Sequence, residues 1–155
     1  ITKKTKVIMP VHLYGSVSNI SKIKKIINNK NIFIIDDCAQ AHGASDDKGK
    51  KVGSIADIST FSLYPGKNLG AYGDAGIITT NSKKLYNKLI KIRNIGSIEK
   101  FNHETIGLNN RMDTIQAAVL LEKVKRLNFL NKKRKNIANK YFSKIKNHNI
   151  NLYYY

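Results

Sequence analysis

The rhythm of apolar and polar residues changes several times along the chain, and each change marks a predicted element. The nearly unbroken apolar stretch "KVIMPVHLYG" (6–15) predicts a short buried strand that ends in a glycine turn. In "SNISKIKKIINN" (18–29), Ile20, Ile23, Ile26 and Ile27 recur at helical spacing among lysines, and Ser18 stands where a cap belongs. "NIFIIDD" (31–37) sets four apolar residues in a row before two carboxylates, as in a strand covered on both faces. Strand, helix and strand in about 30 residues make a βαβ unit, so a right-handed crossover and a parallel pair are expected.

Two more strands are predicted at "IADISTFSL" (55–63) and "AGIITTN" (75–81). "SKKLYNKLIKIRNIG" (82–96) reads as an amphipathic helix with Leu85, Leu89 and Ile92 on one face and Gly96 as its stop. Residues 113–145 read as one long helix, with Asp113 and Gln116 spaced as a capping pair. Pro10 and Pro65 both fall at predicted strand ends. Strands mixed with helices indicate an α/β layered domain, whose sites gather beyond the carboxyl ends of its strands. Asp36 and Asp37 lie at one such end, and Ser62 and Lys67 at another, which predicts a shared cleft.

Composition narrows the class. A chain of 155 residues, 41% apolar and 25% charged, suits one soluble globular domain. No apolar run approaches the roughly 18 residues of a membrane span, and the start lacks the apolar core and cleavage site of a signal peptide. Ile1 in place of Met and the closing "YYY" read as cut ends of an internal piece of a longer protein. The single Cys38 fits a reducing, cytoplasmic setting and reads as a small buried filler. The net charge of +18 would attract anions. The lysines are scattered among Asn and Ile rather than gathered on a motif, so direct nucleic-acid binding is the weaker reading. "NKKRK" (131–135) reads as a solvated helix face.

Several familiar motifs fail. Gly66-Lys67 is followed by Asn68, and Phe61 stands where a phosphate loop needs its first glycine. Gly70, Gly73 and Gly76 are spaced by three, unlike a dinucleotide fingerprint. The four histidines are scattered, and one cysteine cannot build a thiolate zinc site. What remains is Asp37, Gln40, Ser62 and Lys67. A desolvated lysine amine loses its charge and condenses with aldehydes. A carboxylate buried at a strand end needs a cationic partner, which a protonated pyridine nitrogen would supply. A hydroxyl beside glycines could bind phosphate. Those parts fit pyridoxal 5'-phosphate, and a plain Lys67–Asp37 salt bridge without cofactor fits them too.

The segments "PVHLYG", "DDCAQAHGA", "VGSIADISTFSLYPGKNLGAYGDAGIITT" and "IGLNNRMDTIQAAVLLEKVKRL" resemble, in order, the DegT/DnrJ/EryC1/StrS family of sugar aminotransferases. The resemblance runs from about residue 6 to residue 142 and matches the middle of the family's length. It implies the three-layer large domain of fold-type I pyridoxal-phosphate transferases, with a mostly parallel mixed sheet incomplete at both ends. Residues 1–130 would be part of that domain, and 131–155 a long helix opening the connection to a small C-terminal domain.

Residue by residue, the resemblance implies that Lys67 is catalytic and condenses with the cofactor's aldehyde. Asp37 would pair with the pyridine nitrogen, Gln40 with the ring hydroxyl, and Ser62 with the phosphate. Asn109 would reach the phosphate of a neighbouring subunit, hence a homodimer. Asp36 departs from the family's usual Glu. His12, Tyr14 and Tyr72 match family positions and are read as packing residues. The substrates implied are a nucleotide-linked ketosugar and an amino acid donor, glutamate, in surface glycan or aminodeoxysugar synthesis. Lys67 favours transamination over the branch that dehydrates sugars, which has His there. The run "YPGKNLGAYGDAG" looks more like members that aminate C3 than C4. A catalytically silent fragment and a basic nucleic-acid module are the alternatives.

Overall fold

The computed structural model describes residues 1–28 and 31–152. The last residue of the first predicted helix, Asn29, and the closing "YYY" lie outside them. Four strands form one sheet in the order β1 (Val7–Ile8), β2 (Phe33–Asp37), β3 (Ile58–Ser62), β4 (Gly76–Thr79). The pairs β1/β2 and β2/β3 are parallel and β3/β4 is antiparallel, the mixed sheet expected. Helices α1 (Ile20–Ile27), α2 (Lys83–Arg93), α3 (Thr114–Lys125) and α4 (Leu127–Lys144) complete the fold.

The first predicted strand is far shorter than its apolar run. Pro10 has no N–H to give the ladder, so regular pairing stops at Ile8. Pairing resumes at the single bridge Val11–Asp37, and Leu13–Gly15 curl into a 3-10 turn. α1 is capped by Asn19, which accepts from the Lys22 N–H at 2.8 Å, rather than by Ser18. Ser18 is engaged elsewhere, its hydroxyl donating to the Val11 carbonyl and its N–H to His12 Nδ1. Of the four predicted α1 contacts, Ile20 and Ile27 are buried with Ile34 and Ala56, while Ile26 faces solvent.

α2 is capped by Ser82 and ends at Arg93, with Asn94 as its C-cap two residues before the predicted stop. Gly96 instead carries the N–H that reaches back to the Lys91 carbonyl, closing the wrap beyond the helix end. Its missing Cβ is required, since one would lie 1.6 Å from the Thr105 carbonyl oxygen. Ile92 is exposed, against expectation. The long helix is two: α3 tightens to an i→i−3 bond from the Arg126 N–H, and α4 starts at Leu127. Asp113 does sit at the N-cap but makes no side-chain cap bond, and Gln116 gives its oxygen to Tyr72 instead.

Three apolar clusters hold these parts. α1 closes on β2, Leu120 of α3 packs on Leu63, Leu69 and Ala71 around the loop after β3, and Cys38, Ala41 and Val52 lie between. Cys38 is the buried filler expected. Burial, then the negative charge of Asp36, pushes its thiol up to about 12.

Candidate active site

The site sits at the carboxyl edge of β2 and β3. In β2 successive side chains alternate faces, so the two adjacent carboxylates part company. Asp36 turns into the interior, fully buried, where Nε2 of the equally buried His12 lies 3.0 Å from its Oδ2. Burial alone would raise the Asp36 carboxyl. Favourable interactions from His12, Ser59 and Cys38 outweigh it and hold the carboxyl below its ordinary value. Asp37 points the other way and is half-buried, with Oδ1 accepting the Ala39 N–H at 2.9 Å. Its register partner on β3 is Thr60, and Ser62 follows two residues on, on the same face. Opposite Ser62 on β4 stands Gly76, which presents no side chain to cover the hydroxyl.

Lys67 is carried by the loop that leaves β3. Its N–H bonds the Tyr64 carbonyl at 2.8 Å around Pro65 and Gly66, and the Ala71 N–H returns to the Leu63 carbonyl at 2.8 Å. Gly70 makes this closure possible, because a Cβ there would lie 2.4 Å from the Pro65 oxygen. Lys123 of α3 donates to the Gly70 carbonyl at 2.5 Å and lies over the Tyr72 ring, while Gln116 accepts the Tyr72 N–H at 2.8 Å. Thus α3 pins the loop from below.

Two cavities meet at Lys67. One of about 690 Å³ is lined by Lys67, Ser62, Asn109 and Arg111. The other, about 1280 Å³, is lined by Lys67, Gln40, His42 and Arg134. Lys67 thus shares one cavity with Gln40 and the other with Ser62 and Asn109, whereas Asp37 lines neither and is related to Ser62 only through the register of β2 and β3. The Lys67–Asp37 salt bridge does not form, and among the described residues the Lys67 ammonium has no hydrogen-bond or ion-pair partner. Lys67 is half-buried rather than buried. Gln40 is exposed, and its Oε1 accepts the Tyr14 N–H at 2.9 Å, which leaves the amide NH₂ free to donate. Asn109 is exposed and shares its cavity with Ser62 and Lys67 of its own chain.

The packing role expected of Tyr14 and Tyr72 does not hold, since these residues are 77% and 75% exposed. Sequence reasoning missed His42, Asn68 and Asn131. Nδ2 atoms of both asparagines donate to the His42 carbonyl, tying α4 to the segment after β2. The His42 ring is buried, its nitrogens have no hydrogen-bond partner among the described residues, and it packs 5.6 Å from the Phe61 ring. Burial lowers its pKa, the Ser62 backbone pulls it back in part, and the Lys67 charge adds a smaller lowering. Nothing in the sequence marks these asparagines among so many.

An amine without a partner, a carboxylate at a strand end, a free amide donor and an uncovered hydroxyl make up a site for an anionic, carbonyl-bearing heterocycle. Pyridoxal phosphate fits that donor set: the amine would meet its aldehyde, Asp37 its ring N–H, and Ser62 its phosphate.

Fold and site together describe the carboxyl-edge amine site of a mixed α/β sheet. The model of the DegT/DnrJ/EryC1/StrS aminotransferase family matches residues 1–154, and the chain belongs to that family. It is 48% identical, over 98% of its length, to the dTDP-3-amino-3,6-dideoxy-alpha-D-galactopyranose transaminase of Aneurinibacillus thermoaerophilus. It is 40% identical, over 92% of its length, to the dTDP-3-amino-3,4,6-trideoxy-alpha-D-glucose transaminase of Streptomyces venezuelae. The chain spans 42% and 38% of those relatives. Among solved structures, NtdA of Bacillus subtilis with bound cofactor PMP superposes with a TM-score of 0.82 at 37% identity, covering 92% of this chain and 32% of NtdA. The fold is thus part of the α/β large domain of fold-type I aminotransferases.

Proposed function

We propose that the protein carrying this chain is a pyridoxal-phosphate-dependent aminotransferase that moves an amino group from an amino acid to a nucleotide-linked ketosugar. The observation that carries the reading is the unpaired Lys67 amine between two cavities, with Gln40 on one side and Ser62 and Asn109 on the other. When bound, the cofactor supplies an aldehyde for the amino group and a ring that accepts electron density from the carbon losing its proton. Lys67 would hold that aldehyde, and its amine would also serve as the base for the donor's α-proton. Asp37 keeps a proton on the ring nitrogen. Gln40 donates its free NH₂ to the ring oxygen, and Ser62 donates its hydroxyl to the phosphate.

Glutamate is the donor by family likeness. Likeness to transaminases of 3-amino sugars favours amination at C3 over C4. Lys67 also favours transamination over sugar dehydration. Residues 1–130 serve as part of the cofactor-binding domain and 131–155 lead out of it, in a homodimer where Asn109 reaches the neighbouring subunit's phosphate. A cytoplasmic setting suits the free, buried Cys38. No helix among the described residues is long and apolar enough to cross a membrane.

The test combines the whole protein with pyridoxal phosphate, glutamate and 3-keto or 4-keto nucleotide sugars, with mass spectrometry of the product. A 3-amino sugar is expected from the native protein and none from Lys67→Ala, which also loses the visible absorption. Colour and turnover persisting in Lys67→Ala overturn the assignment.

A further inference from the structure

We propose that His12 is a positioning residue for this reaction: its imidazole locks the strand end that carries Asp37 and the turn that holds Gln40. The inference rests on the roles given above to Asp37 and Gln40.

The ring is held from both sides. Ser18 donates its backbone N–H to Nδ1 at 3.0 Å, so Nδ1 is an acceptor without a proton. Nε2 therefore carries the hydrogen and donates it to Asp36 Oδ2 at 3.0 Å. Both side chains have no solvent exposure, so this hydrogen bond has no competition from water. The Thr60 hydroxyl donates to the Asp36 carbonyl, fixing the same residue to β3.

The consequence falls on the neighbours of this pair. The His12 N–H donates to the Asp37 carbonyl at 3.0 Å, and the Asp37 N–H donates to the Pro10 carbonyl at 2.9 Å. Two residues beyond His12, the Tyr14 N–H holds Gln40 Oε1 at 2.9 Å, with Tyr14 in the left-handed region at φ 54°. One short segment, Pro10 to Tyr14, thus grips the backbone of Asp37 and orients the amide of Gln40. That segment has little ladder of its own, since Pro10 interrupts it and only Val11 bridges to β2. The buried His12–Asp36 bond is a side-chain cross-link that reinforces this single bridge. Loss of it lets the two contacts drift while leaving every group that touches the cofactor chemically intact.

The experiment compares His12→Asn with His12→Gln in the intact protein loaded with pyridoxal phosphate. Gln reproduces the Nε2–H donor toward Asp36, whereas Asn reproduces only the Nδ1 position. For His12→Asn, we expect kcat to fall about tenfold with the sugar KM little changed. The pH midpoint of its visible absorption should move by about one unit, and His12→Gln should restore both. Nitrogen NMR of the native protein should show the proton on Nε2 and none on Nδ1. The opposite tautomer overturns the proposal, as does an Asn variant whose midpoint and kcat match the native protein. A native protein that takes up no pyridoxal phosphate removes the cofactor reading, and this proposal with it. A native protein that loads normally while the Asn variant matches it removes only the role of His12.

Discussion

Asp37 and Thr60 are register partners on adjacent parallel strands, so the carboxylate and, two residues further on, the Ser62 hydroxyl leave the sheet on one face. This relation sets the spacing between the group proposed for a ring nitrogen and the group proposed for a phosphate, with the Lys67 loop following directly from the same strand. It gives each of the two side chains a separable task.

Asp37→Asn is expected to retain cofactor uptake and slow proton removal from the donor by about a hundredfold or more, the scale of a lost charge that stabilises a carbanion. Rapid mixing with glutamate and with its α-deuterated form measures it. The isotope effect should grow in the variant, because the proton step becomes limiting. A native rate would count against the ring-nitrogen role.

Gly70→Ala places a methyl group within reach of the Pro65 carbonyl and must push the Lys67 loop off α3. A loss of about 1–3 kcal/mol, the usual scale of overpacking, is expected along with weaker cofactor loading. Thermal unfolding and absorbance titration report the two separately. An unchanged loop would load normally and melt at the native temperature.

His42 gives a pH signature. Its folded pKa is lowered by burial first, so below the ordinary histidine value the unfolded chain takes up a proton that the folded chain refuses. Stability is therefore full above about pH 6.5 and falls as the pH drops below it, by at most about 1.4 kcal/mol per unit. Asp36, held low, contributes only near and below about pH 4. Urea midpoints between those limits should slope less in His42→Leu than in the native protein.

Leu63→Ala tests the cluster that seats the lysine loop on α3. Leu63 is 1% exposed and packs with Leu69, Ala71 and Leu120. A loss of about 2–5 kcal/mol is expected from chemical denaturation. A cost near zero would mean that Leu120 and Met112 collapse into the space.

The sequence by itself determined the order and kind of the elements, since the runs at 33–37 and 58–62 carry apolar strand patterns that nothing in the fold overrides. It also marked the candidate residues for chemistry, because an aspartate at a strand end and a lysine in a glycine-rich loop are local facts. Tertiary structure decided the rest. Proline at position 10 looked like a strand end, but only pairing with Asp37 turned the segment beyond it into a brace. Gln116 looked like a cap and became a clamp on Tyr72, because a long amide bonds whatever N–H the fold brings within 2.8 Å. The two adjacent aspartates are alike in the sequence. The β-strand's alternation sends one to a buried histidine and the other to the open edge, and that assignment depends on what packs against each face.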